Sequence, residues 1–520
     1  MTGERGPALF VNGRVRTMDD GRPLAEALSV RDGVLTAVGS TADLLGSRDP
    51  RAAVVDLGGA TVLPGFVDVH NHFALTALEG FWADCRDARS IADVQARLRA
   101  AAVSTPPGEW VRGLGYHHGA LADRRHPSRH ELDAAVGDRP ALLLHFTHHQ
   151  GVANSRALAA GGITRATPDP PGGAVERDRA GEPTGLLYER ALGEVERASR
   201  EGWERRFPEV ARAASRRHAT LGLTTVQDPA VSPALEARYR AAEAVGTLEI
   251  GVGRMAVAAT GWFDPPWALA RTPGEGRWLK LFVDGGYRCA MRLERSGRVQ
   301  DSGFLFYRPD ELSDLLVTAW RAGWRVTLHA IGNLGVEVAV GGLEEALRRE
   351  PAGADRARLD HVMFVSRPLL DRLRALSVWV VSQPSFLHDL GAAALDPRHG
   401  LLVRAFGSIR DAGIPQAFSS DAPCGSVAPL VGIQAAVTRR DREGRPVSPD
   451  EGVPVEAAIR AYTIDAARAA ALDRDRGSLV PGKRADFVVL ADDPFTVAAD
   501  TLAGIAVRAT YVGGRRIPPD

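Results

Sequence analysis

Eight short apolar stretches, separated for the most part by helical patterns, do most to restrict what this chain can fold into. They are VLPGFVDVH (62–70), LTTVQD (223–228), LEIGVGRM (248–255), WLKLFVDG (278–285), WRVTLH (324–329), RLDHV (358–362), VWVVSQ (378–383) and PQAFSSD (415–421). Such alternation is the signature of a parallel sheet covered by helices. RPDELSDLLVTAWRAG shows the helical half of the pattern, with Pro309 near a helix start, acids in the first turn and Gly323 at the end. Eight βα units closing on themselves make a TIM-type (β/α)8 barrel, whose active site lies at the strand C-termini.

The ends of the chain read differently. ALFVNGRVRTM, ALSVRDGVLTAVG and AAVVDLGGATVLPG are short β-branched runs with Asn-Gly and Asp-Gly turn signals between them. RGSLVPGKRADFVVLADDP and IAVRATYVGGRRI look the same at the other end. Residues 1–62 and 473–520 are therefore expected to combine into one small β-sandwich, leaving the barrel to 63–472. The gap between the first two barrel strands is too long for a single helix. Residues 75–215 are expected to form an insertion, with helices in SIADVQARLRAAAV and GLLYERALGEVERASREG and a strand in ALLLHF.

Charge excludes several classes of partner. The 520 residues carry 64 basic and 64 acidic groups, so nothing points to nucleic acid or an anionic membrane surface. A small-molecule substrate is the expected partner, and a homodimer is compatible with the sequence. Three cysteines, Cys85, Cys289 and Cys424, fall at no disulfide-like or metal-like spacing, which suits a reducing compartment. No stretch reaches the roughly 20 apolar residues of a membrane span, and the first residues do not read as a secretion signal. A soluble cytoplasmic protein is expected.

Chemistry concentrates at the strand ends. His70 and His72 end the first candidate strand, His329 the fifth and Asp421 the eighth, while His361 lies on the sixth. In a barrel those ends converge on one mouth. Imidazole and carboxylate together suit zinc, iron or manganese, so one or two divalent metals, with zinc the first choice, are expected there. His-X-His on an extended strand points both rings to one face.

Lys280 lies inside the apolar run WLKLFVDGG. Lysine occurs at only two positions, 280 and 483, and the other 62 basic residues are arginine. A buried ammonium is costly unless paired or neutralised, and lysine, unlike arginine, shifts its pKa readily. Such a lysine can take up CO2 as a carbamate that bridges two metals. The alternatives are a lysine reaching the barrel rim, or an ion pair with Asp284 or Asp421.

LPGFVDVHNH, WVRGLGY (110–116), HHQGVANSRAL (148–158), GEPTGLLYE (181–189), LGLTTVQD (221–228), LKLFVDGG (279–286), LHAIGN (328–333), RLDHV (358–362), SQPSF (382–386), SSDAP (419–423) and PGKRADFVVL (481–490) together resemble the amidohydrolase superfamily. Within it the chain is most similar to the amidohydrolase-3 group, which includes YtcJ-like proteins and N-substituted formamide deformylases. The resemblance implies that His70 and His72 bind the more buried metal, that carboxylated Lys280 bridges, and that His329 and His361 bind the second metal. It implies that Asp421 contacts a metal and shuttles the proton. The chain departs from the group pattern in places: Asn333 stands where HAIGD has an acid, the acid of the RIEHA motif is Asp360, and His117 and His118 stand where an aspartate is common.

The implied reaction is hydrolysis of a non-peptide C–N bond, in an amide, formamide or cyclic amide, by metal-activated water. An esterase, a lyase, isomerase or decarboxylase on the same scaffold, and a silent metal-binding protein are the alternatives. His149 is the candidate oxyanion donor, or else a structural hydrogen-bonding residue of the insertion. Phe73, Tyr287, Phe386 and His388 are candidates to line the substrate pocket. Arg288 and Arg292 are candidates for a substrate carboxylate, and Trp82 and Trp110 for a lid.

Overall fold

The computed structural model describes residues 6–257, 278–286, 288–295, 298–391 and 400–519. All eight stretches contribute a strand to one parallel sheet, in chain order. The strands are Phe66–Asp68, Leu223–Val231, Gly251–Ala256, Trp278–Phe282, Arg325–Ala330, Ala357–His361, Trp379–Ser382 and Gln416–Phe418. Trp278–Phe282 and Ala357–His361 are buried at every residue, as a sheet covered on both faces requires. The sheet curls into a nearly closed barrel. Between its first and last strands the seam is drawn together past the strand ends: Asp421 N–H donates to the His70 carbonyl and His72 N–H to that of Ala422, each at 2.8 Å. The buried Asp68 carboxylate reinforces the seam by accepting from Ser420 N–H and Oγ–H at 3.1 and 2.5 Å.

The stretch 62–70 is not one strand. Thr61–Pro64 pairs with Phe487–Leu490 and with Arg14–Val15, and only Phe66–Asp68 enters the barrel. Gly65 is the joint. A Cβ there would fall 2.1 Å from Thr224 Cγ2, so the chain passes the second barrel strand at a distance only glycine allows.

Both ends of the chain meet in two packed sheets. One has the order Arg515–Arg516, Val507–Val512, Phe487–Leu490, Thr61–Pro64, Arg14–Arg16, Leu24–Ala25, and the other Val34–Gly39, Ala27–Arg31, Ala8–Val11, Ala53–Asp56. Phe10 reaches from one sheet to the other, its ring 5.0 Å from those of Phe487 and Tyr511. Burying such apolar side chains stabilises each by about 1.5–3 kcal/mol.

The insertion builds its own six-stranded sheet, in the order Gly173–Arg177, Pro183–Glu189, Gln150–Ala153, Ala141–His145, Val111–Tyr116, Ala83–Asp84. GLLYE, read as the start of a helix, is part of a strand here, and the helix begins at Arg190. Leu186 and Leu187 are both buried because this sheet is covered on both faces. Helix Phe207–Thr220 contains the last part of the segment assigned to the insertion, and it leads directly into the second barrel strand. Among the described residues, no helix is long and apolar enough to cross a membrane.

Candidate metal centre

The residues singled out at the strand ends come together at the barrel mouth. His70, His72, His329, His361 and Asp421 line one pocket, with Thr147, His148 and His149 of the insertion and Leu75, Phe282 and Cys424. His70, His72 and Asp421 each offer a ligand atom within 4.8 Å of the others. Asp421 Oδ1 lies 3.2 Å from Nε2 of both His70 and His72. The two histidines achieve this without sharing a strand. The first barrel strand ends at Asp68, and His72 is the residue preceding the short helix Phe73–Leu78.

Backbone strain helps to aim these groups. His361 and Asp421 hold φ of 81° and 53°, left-handed conformations unusual for residues with a side chain. Such outliers persist only where surrounding structure enforces them. At Asp421 the bond from its own N–H to the His70 carbonyl is part of that enforcement.

Further partners fix the rings. His70 Nδ1 donates to Asp360 Oδ2 at 2.7 Å, and His361 Nδ1 donates to Gln383 Oε1 at 2.8 Å. Each bond leaves Nε2 as the lone-pair nitrogen, the arrangement that presents imidazole to a cation. The donor set fits a metal on a second count. His329 Nε2 and His361 Nε2 are buried without a hydrogen-bond partner among the described residues, a costly state unless something else occupies the lone pair. Burial pushes the His329 imidazolium far down, with His361 adding repulsion, and burial takes that of His361 down to about 3. Both rings are therefore neutral, the form in which imidazole ligates metal.

Asp360 is the hub beneath them. Besides His70 it accepts from Thr327 Oγ1 at 2.6 Å and Arg358 Nε at 3.1 Å, and its Oδ2 lies 3.5 Å from Lys280 Nζ. Burial resists ionisation of Asp360, but Arg358, His70 and Lys280 outweigh it and hold the carboxyl well below the usual range. Lys280 thus pairs with Asp360 and with neither Asp284 nor Asp421. It does not reach the rim either, since its side chain is fully buried. Burial drives its ammonium down to about 8, against the pull of Asp360.

His149 belongs to this mouth as well. Its ring centroid is 5.1 Å from that of His329, and its Nδ1 lies 2.7 Å from Glu189 Oε2. Burial lowers the affinity of His149 for a proton, but Glu189 and then Asp421 reverse the effect, and its pKa is raised. Gly286 closes over the ring: a Cβ there would fall 2.2 Å from His149 Cδ2.

The candidate substrate contacts fare differently. Phe73 is wholly buried against Phe207 and His218, so it belongs to the core between barrel and insertion and not to the pocket wall. Phe386 stacks parallel to His361 with centroids 6.5 Å apart, behind the ligand ring. His388 bonds Asp389 at 2.8 Å, and Arg288 stacks on Tyr188 at 3.8 Å. Neither lines the pocket. Arg292 is engaged by Asp301 and Glu337. Trp82 packs in the insertion core against Trp203, beneath Arg112, and is no lid. Trp110 is half-buried against that same core. Tyr287 lies outside the described residues.

Several residues here escaped the sequence reading. Glu189, Gln383 and Asp284 lie inside the segments GEPTGLLYE, SQPSF and LKLFVDGG, but nothing in those segments assigns them a place beside the histidines. Asp284 accepts from the N–H groups of Ala290, Ile331 and Gly332 and approaches His329 Nε2 at 3.8 Å. Asn333 exchanges two hydrogen bonds with the Arg292 backbone. Arg358 and Asp360 were findable. Two charged residues at i and i+2 of an apolar strand must share a face.

A parallel barrel with imidazoles and a carboxylate converging at its mouth defines a protein with a candidate metal site. The Amidohydro_3 model, described as an amidohydrolase family, matches residues 53–518, and the chain belongs to that family. It is 31% identical over 528 residues to the N-substituted formamide deformylase of Arthrobacter pascens, covering 97% of each chain. It is 28% identical over 535 residues to the putative amidohydrolase YtcJ of Bacillus subtilis, covering 98% of each. An uncharacterized metal-dependent hydrolase from Pyrococcus horikoshii has a similar fold, with a TM-score of 0.74 at 23% identity over 95% of this chain and 99% of that one. The protein is an amidohydrolase, a hydrolase of carbon–nitrogen bonds, with a His-His-Asp group at the barrel mouth that could hold a metal ion.

The His149–Glu189 pair gives a pH-dependent prediction. Removing the Glu189 charge removes what raises the histidine pKa, so His149 should lose its proton at lower pH in Glu189→Gln. NMR titration of ring-labelled histidine in metal-free protein should show a downward shift for this ring. An unmoved titration would mean that Glu189 does not govern this ring.

Proposed function

We propose that this amidohydrolase cleaves the C–N bond of a small non-peptide amide, with an N-substituted formamide or cyclic amide as the favoured classes. The observation that carries the reading is the convergence of His70, His72, His329, His361 and Asp421 on one pocket roofed by the insertion. The resemblance to a formamide deformylase over nearly the whole chain supports the substrate class.

Those five residues would hold one or two divalent metals, with zinc the first choice. A metal held there would lower the pKa of water from about 15.7 towards roughly 7 and would polarise the scissile carbonyl. Asp421 acts as general base. Burial opposes its ionisation, but His70 and His72 hold its carboxyl well below the usual range, so it stands as an anion, and a metal that acidifies the water would let it take that proton. It then returns that proton to the leaving nitrogen. His149, oriented by Glu189, donates to the oxygen that gains charge as the carbonyl is attacked. The insertion supplies Thr147, His148 and His149, so it controls which groups reach the scissile bond.

Lys280 fits the role of a bridging carbamate. A pKa of about 8 leaves a fraction of the amine neutral at pH 7. A neutral amine adds CO2 and releases one proton, leaving an anion with two oxygens. The 3.5 Å contact with Asp360 favours a second reading, in which Lys280 is a plain ion-pair partner and the site holds one metal.

Two measurements test these readings. A metal-replete screen over N-acyl amines, formamides, lactams and aryl esters should give turnover of a C–N substrate. Ester turnover alone, or release of CO2 in place of hydrolysis, would contradict the assignment. Lys280→Arg keeps the charge but cannot form the carbamate. It should lose metal and at least about two orders of magnitude in kcat/KM, the scale of losing charge stabilisation in the transition state. Lys280→Ala should be partly restored by a short-chain carboxylate in solution. Normal metal content and turnover in Lys280→Arg would select the ion-pair reading.

A further inference from the structure

The hairpin that joins Ala141–His145 to Gln150–Ala153 carries two adjacent histidines, His148 and His149, into the catalytic pocket. Adjacent side chains of an extended chain point to opposite faces. His148 departs from extended backbone with φ of 56°, and its N–H closes the turn onto the His145 carbonyl at 2.9 Å. A left-handed conformation is uncommon for a residue with a side chain. Here it accompanies two neighbouring rings that line one pocket, the kind of site at which such backbone is retained.

His148 is 8% exposed, and its Nδ1 is buried with no hydrogen-bond partner among the described residues. A buried ring nitrogen in that state is costly, and a molecule in the pocket can supply the partner. The two rings stand on different sides of the mouth. His149 lies against His329 and Phe282, with centroids 5.1 and 6.0 Å away. The charges that act most on His148 are those of His72 and Asp421, then Arg112 and His149. Asp421 Oδ1 is 3.2 Å from His72 Nε2, so His148 borders the side of the pocket where Asp421 stands. Burial, reinforced by His72, takes the His148 imidazolium down to about 3. The ring is therefore neutral and carries one acceptor nitrogen.

We propose that His148 accepts a hydrogen bond from the N–H of the scissile amide, and so selects secondary over N,N-disubstituted amides. The inference rests on the proposed course of the reaction, in which His149 donates to the carbonyl oxygen and Asp421 returns its proton to the leaving nitrogen. An amide whose oxygen is turned towards His149 presents its nitrogen on the far side of the carbonyl carbon, towards Asp421 and His148. The bond from N–H to a neutral imidazole draws electron density onto that nitrogen, which makes it a better acceptor of the proton from Asp421. A tertiary amide has carbon in place of this hydrogen. It leaves the His148 acceptor unpaired and sets an alkyl group against the ring, a mismatch that a polar site rejects.

The test compares N-butylformamide and N-butylacetamide with their N-methyl derivatives, using metal-replete enzyme. On the better acyl group, the wild type should turn over the secondary amide with a kcat/KM at least about tenfold above the tertiary one, the scale of one buried acceptor left unpaired. His148→Gly removes the ring and holds a left-handed backbone without strain. It should lose most of that preference through slower turnover of the secondary amide, with the tertiary amide changed little and metal content as in the wild type. His148→Asn tolerates the same backbone and offers an acceptor, so it should restore part of the preference. A wild type without the preference, or a His148→Gly that slows both amides equally and keeps it, overturns the inference and leaves His148 a structural residue of the turn. Failure of the wild type on all four amides at full metal content would instead overturn the proposed substrate class, and this inference with it.

Discussion

The Asp360 carboxylate is the charge about which the barrel mouth is organised. It is fully buried between Arg358 and Lys280, and it fixes His70 through Nδ1. An isolated anion there would cost several kcal/mol, so its position is tolerable only because cationic and hydroxyl donors from adjacent strands reach it. Thr327, Arg358 and Lys280 come from the fifth, sixth and fourth barrel strands. The register of a parallel sheet sets this spacing: Lys280 pairs with Thr327, and His329 with Asp360. A slip of one residue would turn these groups out of the barrel. Strand register and site geometry are therefore one constraint.

From that base the site is assembled in layers. Arg358, stacked over Trp278 at 4.8 Å, donates to Gln227 and to the Val69 carbonyl, tying the interior to the first and second strands. Asp360 holds His70, Gln383 holds His361, and Asp421 stands between His70 and His72. The insertion then brings His149 over the mouth, with Glu189 behind it. Each ligand is positioned by a residue that is itself hydrogen-bonded, which keeps the donor set organised for a cation.

Much of this was legible in the sequence because strands announce themselves locally. Runs such as WLKLF and WRVTLH are apolar on both faces, and a histidine or lysine within one has few places to go. The barrel strands and their chemical residues follow from that. Convergence of the ends then follows from barrel closure, without knowing any pairing. What stayed hidden depends on distant chain. Nothing near Glu189 indicates that it backs His149, forty residues earlier, because a meeting across the insertion sheet sets that contact. Phe73 looked like a pocket residue from its place after His72, yet the short helix it begins turns its ring into the core. Gly65 likewise ends a strand that periodicity alone would continue.

The account rests on the five barrel-mouth residues holding catalytic metal. Crystals grown with zinc and measured at its absorption edge test that most directly. The account predicts an anomalous peak bonded to His70, His72 and Asp421, with nitrogen–metal distances of about 2.0–2.1 Å, and His329 and His361 turned towards it or towards a second peak. A fully active enzyme whose only anomalous density lies away from this pocket would contradict it.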